Sequence, residues 1–191
     1  MGLDKVREKK KNKMRNRYIY RASILLILGA ALAYALITNL SGEKDTSHDI
    51  GDEAPNFELT QINKFNDEEK INLSELKGKG VMLNFWGTWC PPCRDEMPYM
   101  ESLYPEYKEK GVEIVAVNLD QSKLKAEQFI KEFGLTFPVP HDSREEVMEL
   151  YGIGPLPSTV FIDPDGIIND IVIGGLTLDR IETHLKEIQP E

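Results

Sequence analysis

Val81-Met82-Leu83-Asn84-Phe85-Trp86 runs through Gly87-Thr88-Trp89 into Cys90-Pro91-Pro92-Cys93, and these two cysteines are the only ones in the 191-residue chain. Gly80 to Trp86 is a near-continuous apolar run, which predicts a central strand covered on both faces. Downstream, Met97, Met100, Leu103, Tyr104 and Tyr107 fall on one stripe at helical spacing, and Pro98 and Pro105 are expected to kink or interrupt that helix. The layout puts Cys90 at the mouth of the helix and Cys93 one turn inside it. Both then lie on one face, where two thiols can form or exchange a disulfide. A chain that uses its whole cysteine complement this way points to thiol–disulfide chemistry.

Other uses of such a pair fit less well. A zinc site needs four ligands, but no second Cys pair exists and His48, His141 and His184 are scattered. Haem attachment needs His directly after the second cysteine, where Arg94 stands. A redox-inert disulfide closing so short a loop would constrain little of the unfolded chain and stabilise weakly. Neither a metal nor a cofactor is expected.

The first 21 residues carry nine Lys or Arg against Asp4 and Glu8, and an uncharged run rich in Ile, Leu and Ala follows from Ala22 to Leu40. Nineteen residues of helix reach about 28 Å, roughly the hydrocarbon thickness of a bilayer. The charge step places the N-terminus in the cytoplasm and everything from Ser41 onward outside. Ala33-Tyr34-Ala35 resembles a signal-cleavage site, but the long basic region and the apolar residues beyond Ala35 favour an uncleaved anchor. The expected organisation is a cytoplasmic basic segment at 1–21, a transmembrane signal-anchor at 22–40, a tether at 41–51 and one domain at 52–191.

The net charge of −9 hides an asymmetry, since residues 1–21 carry +7 and the remainder −16. An acidic exported domain argues against nucleic acid and against lying flat on an anionic membrane. Within the domain, Asn56–Leu59 and Lys70–Leu73 read as a short N-terminal hairpin around Asn66-Asp67-Glu68, with Ser74 capping a one-turn helix. Val112–Asn118 reads as a second buried strand. Lys123–Phe133 and Arg144–Tyr151 read as helices ended by Gly134 and Gly152, and Thr136–Val139 as a short strand. Ser158–Ile162 and Ile167–Ile173 form a hairpin through Asp163-Pro164-Asp165-Gly166. A last helix carries Leu178, Ile181, Leu185 and Ile188 on one face, with Thr177 at its N-cap. This order predicts an α/β fold, a mixed sheet with helices on both faces.

Asn84-Phe85-Trp86-Gly87-Thr88-Trp89-Cys90-Pro91-Pro92-Cys93 resembles the active-site segment of thioredoxin-fold proteins. The span from Asp52 to Ile188 is similar to the membrane-anchored ResA/TlpA group of thiol–disulfide oxidoreductases. Gly78-Lys79-Gly80-Val81, Glu96-Met97-Pro98-Tyr99, Val112-Glu113-Ile114-Val115-Ala116-Val117-Asn118 and Pro155-Leu156-Pro157 carry that closer match. The resemblance implies a thioredoxin-like fold and a disulfide reductant. Its substrate would be a disulfide-bearing exported protein, in ResA-type proteins apocytochrome c before haem attachment, and its electrons would come from a membrane thiol–disulfide donor. A monomer is expected. Matched residue by residue, Cys90 is the attacking nucleophile and Cys93 the resolving thiol. Pro157 is the proline that is cis in this fold and faces the disulfide. Trp89, Pro91, Pro92 and Leu156 face the substrate, Leu156 through its backbone.

Thioredoxins carry a buried aspartate six residues before the first cysteine, and here that position is Asn84. An amide takes up no proton, so Glu96, one turn beyond Cys93, is the candidate proton acceptor; a solvated surface acid is the plainer alternative. Pro91 and Pro92 have no N–H, so the helix start offers Cys90 two fewer amide donors. A less stabilised thiolate means a more reducing couple, toward the thioredoxin end near −270 mV and away from oxidants near −120 mV. ResA-type proteins often carry a charge where Pro91 stands, which leaves the substrate open. A sporulation-type reductase or a general disulfide oxidase is the enzymatic alternative. A tethered thioredoxin-like module that only holds partners is the non-enzymatic one, and the intact cysteine pair argues against it.

Overall fold

The computed structural model describes residues 20–35, 48–63 and 69–190, and the chain divides into two units, Met1–Asp45 and Thr46–Glu191. In the first unit a helix, α1, covers residues 20–35, and its Ile24, Leu25, Leu26, Ile27, Leu28 and Leu32 are exposed. The transmembrane helix expected at 22–40 is not found as such. No helix among the described residues is long and apolar enough to cross a membrane, and residues 36–40 lie outside them. Residues 1–19 of the basic segment and 41–47 of the tether also lie outside them.

The second unit is built on β3 (Gly80–Trp86), buried at all seven positions. Its neighbours are β4 (Val112–Asn118), parallel, and β5 (Ser158–Ile162), antiparallel; β6 (Ile168–Ile173) pairs antiparallel with β5, giving the order β4-β3-β5-β6. Alternate side chains divide two cores. Met82, Trp86, Ile114, Ala116 and Phe161 pack with α2 (Pro91–Glu109), α3 (Lys123–Phe133) and α5 (Leu178–Glu187). Val81, Leu83, Phe85, Val115, Val117 and Val160 pack with α4 (Glu146–Leu150) and with the antiparallel pair β1 (Glu58–Thr60) and β2 (Lys70–Asn72). This is the expected mixed sheet with helices on both faces and an N-terminal hairpin, whose turn at 66–68 lies outside the described residues.

Several local expectations are corrected. Helix α2 runs unbroken through Pro98 and Pro105. Both prolines are exposed, so each ring and its missing N–H fall on the solvent side of the helix, while Met97, Met100, Tyr104 and Tyr107 hold the opposite side in the core. Asn72, not Ser74, caps the 3-10 turn Leu73–Leu76, its side chain accepting from the Ser74 amide. Thr136–Val139 is not a strand: Pro138 and Pro140 have no N–H to give a ladder, and their carbonyls instead accept from Ala116 and Asn118 along the β4 edge. Helix α4 begins two residues later than expected. The Asp142 carboxylate accepts from the Glu146, Val147 and Met148 amides, and Glu145 enters with a positive φ of 59°. Thr177 holds the N-cap position of α5 without a side-chain capping bond.

Candidate active site

The parallel strands β3 and β4 end together, Trp86 opposite Asn118, and the chain leaves β3 into a tight turn. The Cys90 amide donates to the Gly87 carbonyl at 3.1 Å, which closes the turn with Thr88 and Trp89 at its corner. A Cβ on Gly87 would lie 2.7 Å from the Trp89 indole nitrogen, so any larger residue at the first position would push the indole from where it rests. The indole rests there with 65% of the residue exposed. Thr88 is held by the next chain segment: Asp120 accepts from its amide at 3.0 Å and from its hydroxyl at 2.7 Å.

Cys90 then caps α2, and it is joined to Cys93 by a disulfide. Pro91 and Pro92 occupy the first helical positions with exposed rings. The first helix amide able to donate is therefore that of Cys93, which reaches Cys90 Sγ at 3.3 Å. Cys93 is fully buried, and Cys90 is 4% exposed, more enclosed than its place at a helix mouth suggests. Pro157 follows a cis peptide bond from Leu156. It directly precedes β5, whose Ser158 lies opposite Phe85, so it stands at the cysteine end of the sheet. Its carbonyl accepts from Gly174, and Leu156 is half-buried between the two cores. The chain beyond β6 returns to the same place, where a Cβ on Gly175 would touch the Pro92 ring at 3.4 Å.

Glu96 is no surface acid. It is 1% exposed, on the face of α2 that covers β3. One carboxylate oxygen accepts from Asn84 Nδ2 at 2.9 Å and the other from the Leu176 amide at 2.9 Å. Asn84 also donates to Thr159 Oγ1, while its own oxygen has no hydrogen-bond partner. An amide can serve either protonation state, donating to a carboxylate or, turned over, accepting from a carboxylic acid. Burial pushes the Glu96 carboxyl up to about 7, against the pull of the Leu176 and Asn84 bonds. Glu96 can thus take or give a proton near neutrality one turn from Cys93.

The sequence reading missed the Asp120 clamp and the Leu176 contact. The available signal for Asp120 was its place just after a buried parallel strand, at the strand end where such sheets gather functional loops. Among the described residues, no three His, Cys, Asp or Glu groups gather where they could hold a metal.

A carboxyl whose folded pKa is raised keeps its proton in the folded chain where the unfolded chain has lost it. Its stabilising effect is complete below the ordinary 4.5, falls as pH rises to about 7, and levels off above that. The difference amounts to about 3 kcal/mol. Urea unfolding of the oxidised protein at about pH 5 and about pH 8 should therefore show a fall in stability that Glu96→Gln largely removes. Equal falls in the two proteins would mean that Glu96 titrates as an ordinary acid.

Residues 50–171 match the AhpC/TSA family. A protein of Oceanobacillus iheyensis named thiol-disulfide oxidoreductase ResA is 54% identical over 191 residues, covering 100% of this chain and 99% of its own. A Geobacillus kaustophilus protein of the same name is 47% identical over 178 residues, covering 93% of this chain and 99% of its own. The crystal structure of a Chlorobium tepidum protein assigned as the thiol:disulfide interchange protein DsbE superposes with a TM-score of 0.68 at 33% identity, over 74% of this chain and 99% of that one. With a disulfide at the mouth of a helix, on a thioredoxin-like sheet, the chain belongs to the AhpC/TSA family of the thioredoxin superfamily and is a thiol–disulfide oxidoreductase.

Proposed function

We propose that this domain works outside the cell membrane as a reductant of disulfides in exported proteins, with the haem-binding CxxC of an apocytochrome c as its substrate. The observation that carries the direction is the start of α2, where Pro91 and Pro92 leave the Cys93 amide as the first helix donor to Cys90 Sγ. A Cys90 thiolate so weakly supported favours the oxidised domain and hence electron donation. The substrate is what the motifs shared with the ResA/TlpA group imply.

The reduced domain would act in two exchanges. The Cys90 thiolate attacks one sulfur of the substrate disulfide, that S–S bond breaks, and the displaced sulfur leaves as a thiolate. Cys93 gives its proton to Glu96 and attacks Cys90 Sγ, closing the Cys90–Cys93 disulfide and releasing the second substrate thiolate. The substrate gains two electrons, takes up protons and becomes a dithiol, and a dithiol carrier in the membrane restores the domain by the same exchange. Trp89, Pro91, Pro92 and the Leu156 backbone beside Pro157 supply the surface against which the substrate rests. Cys93→Ser should therefore accumulate mixed disulfides through Cys90 with an apocytochrome c, and Cys90→Ser should not. The reverse pattern would swap the roles. A deletion strain with normal c-type cytochromes and defective spores would keep the chemistry and move the substrate to spore formation.

For location, support comes from the sequence and from α1. The step from nine basic residues to an uncharged run favours a cytoplasmic N-terminus and an anchor at 22–40, and the apolar side chains along α1 stand exposed. Protease added to protoplasts should remove the domain, with full-length protein retained in untreated membranes. A soluble form beginning near Leu36 would contradict the anchor.

A further inference from the structure

We propose that Asp120 is the positioning residue of the redox site, which by gripping Thr88 sets the turn that presents Trp89 and Cys90 and so the rate of disulfide exchange. Both Asp120 carboxylate oxygens are committed to Thr88, one to its amide and one to its hydroxyl. Asp120 is itself fixed from three directions. Asn118 Nδ2 donates to its Oδ2 at 2.7 Å, its amide donates to Asn118 Oδ1 at 3.1 Å, and His141 Nε2 lies 2.7 Å from its carbonyl oxygen. It is 3% exposed, and Asn118 is fully buried. The grip therefore ties the turn to the end of β4 instead of to a mobile surface group.

Thr88 is the corner of the turn closed by Cys90 and Gly87, and Cys90 is the N-cap of α2. Only Trp89 separates the clamped Thr88 from Cys90, and no element of regular structure lies between them to absorb a shift. Moving Thr88 therefore moves the exposed indole on one side and the Cys90 Sγ, with its single amide donor, on the other. Reactive groups displaced by about 1 Å can lose up to about 100-fold in rate.

The inference rests on Cys90 being the attacking thiol. The experiment uses the full-length chain, reduced, as wild type, Asp120→Asn, Thr88→Val, Thr88→Ser and the Asp120→Asn/Thr88→Val double variant. Three quantities are read: the pH profile of iodoacetamide alkylation with the labelled cysteine mapped, kcat and KM for reduction of a disulfide-bonded CxxC peptide, and the melting temperature. Asp120→Asn and Thr88→Val should each lower kcat by about 10- to 100-fold and shift the alkylation profile. Thr88→Ser, which keeps the hydroxyl, should restore both, and the double variant should lose no more than the worse single. Label on Cys90 with an unchanged profile and kcat, whatever the melting temperature, would reduce Asp120 to a structural brace and overturn the proposal. So would losses that multiply in the double variant. If Asp120→Asn does not fold, the Val and Ser variants of Thr88 decide alone. Label on Cys93 would instead refute the assignment of roles.

Discussion

Strand β3 is buried along its whole length, so each of its backbone groups must be paired by β4 or β5, and the chain can first turn toward solvent only after Trp86. That constraint fixes where the chemistry sits. The turn closed by Gly87 and Cys90 is the shortest way from a buried strand into a helix that must return across the sheet, and the first helical residue inherits the sheet's rigidity. Helix α2 cannot slide, because Cys93, Met97, Met100, Tyr104 and Tyr107 are buried along one side of it. A disulfide between its N-cap and its first turn is thus held at a fixed height above the sheet.

The same burial explains the polar groups beneath the cysteines. Asn84 lies in the middle of the fully buried strand, on the face that α2 covers, and Glu96 comes down from α2 to meet it. A carboxyl there, satisfied by one amide side chain and one backbone amide, holds its proton up to about 7. Disulfide exchange moves protons as well as electrons, and thiols ordinarily titrate near 8.5, so an acid of this strength beside them sits in the useful range. The Leu176 amide that binds it belongs to the segment packed on Pro92, so the carboxyl and the exposed lip of the site share one loop.

The parts of the fold that sequence made legible are those in which one period dominates. Gly80–Trp86 and Val112–Asn118 appear at the residues expected, because uninterrupted apolar runs bounded by glycine or polar residues leave little freedom of register. Lys123–Phe133 likewise ends at Gly134, which adopts the left-handed conformation the helix end needs. Failures came where tertiary context decides. Pro98 and Pro105 look like helix breakers until both are seen to face water. Phe137 and Val139 alternate like a strand, yet the prolines beside them cannot build one. At the site, the cysteines and Pro157 were legible from their motifs. The spacing of Glu96 was legible but its burial was not, because a glutamate in a charged helical turn reads as solvated. Asp120 was not singled out at all, because only the parallel pairing of β3 with β4 brings it to Thr88.

The central claim is that the start of α2 makes this a reducing couple, because a cap followed by two prolines denies the Cys90 thiolate the amides that would stabilise it. The reduction potential of the Cys90–Cys93 pair, measured by equilibrium with a glutathione or dithiothreitol buffer, tests this most directly. The account predicts a value toward the thioredoxin end, near about −270 mV, and a value near the strong oxidants at about −120 mV would contradict it.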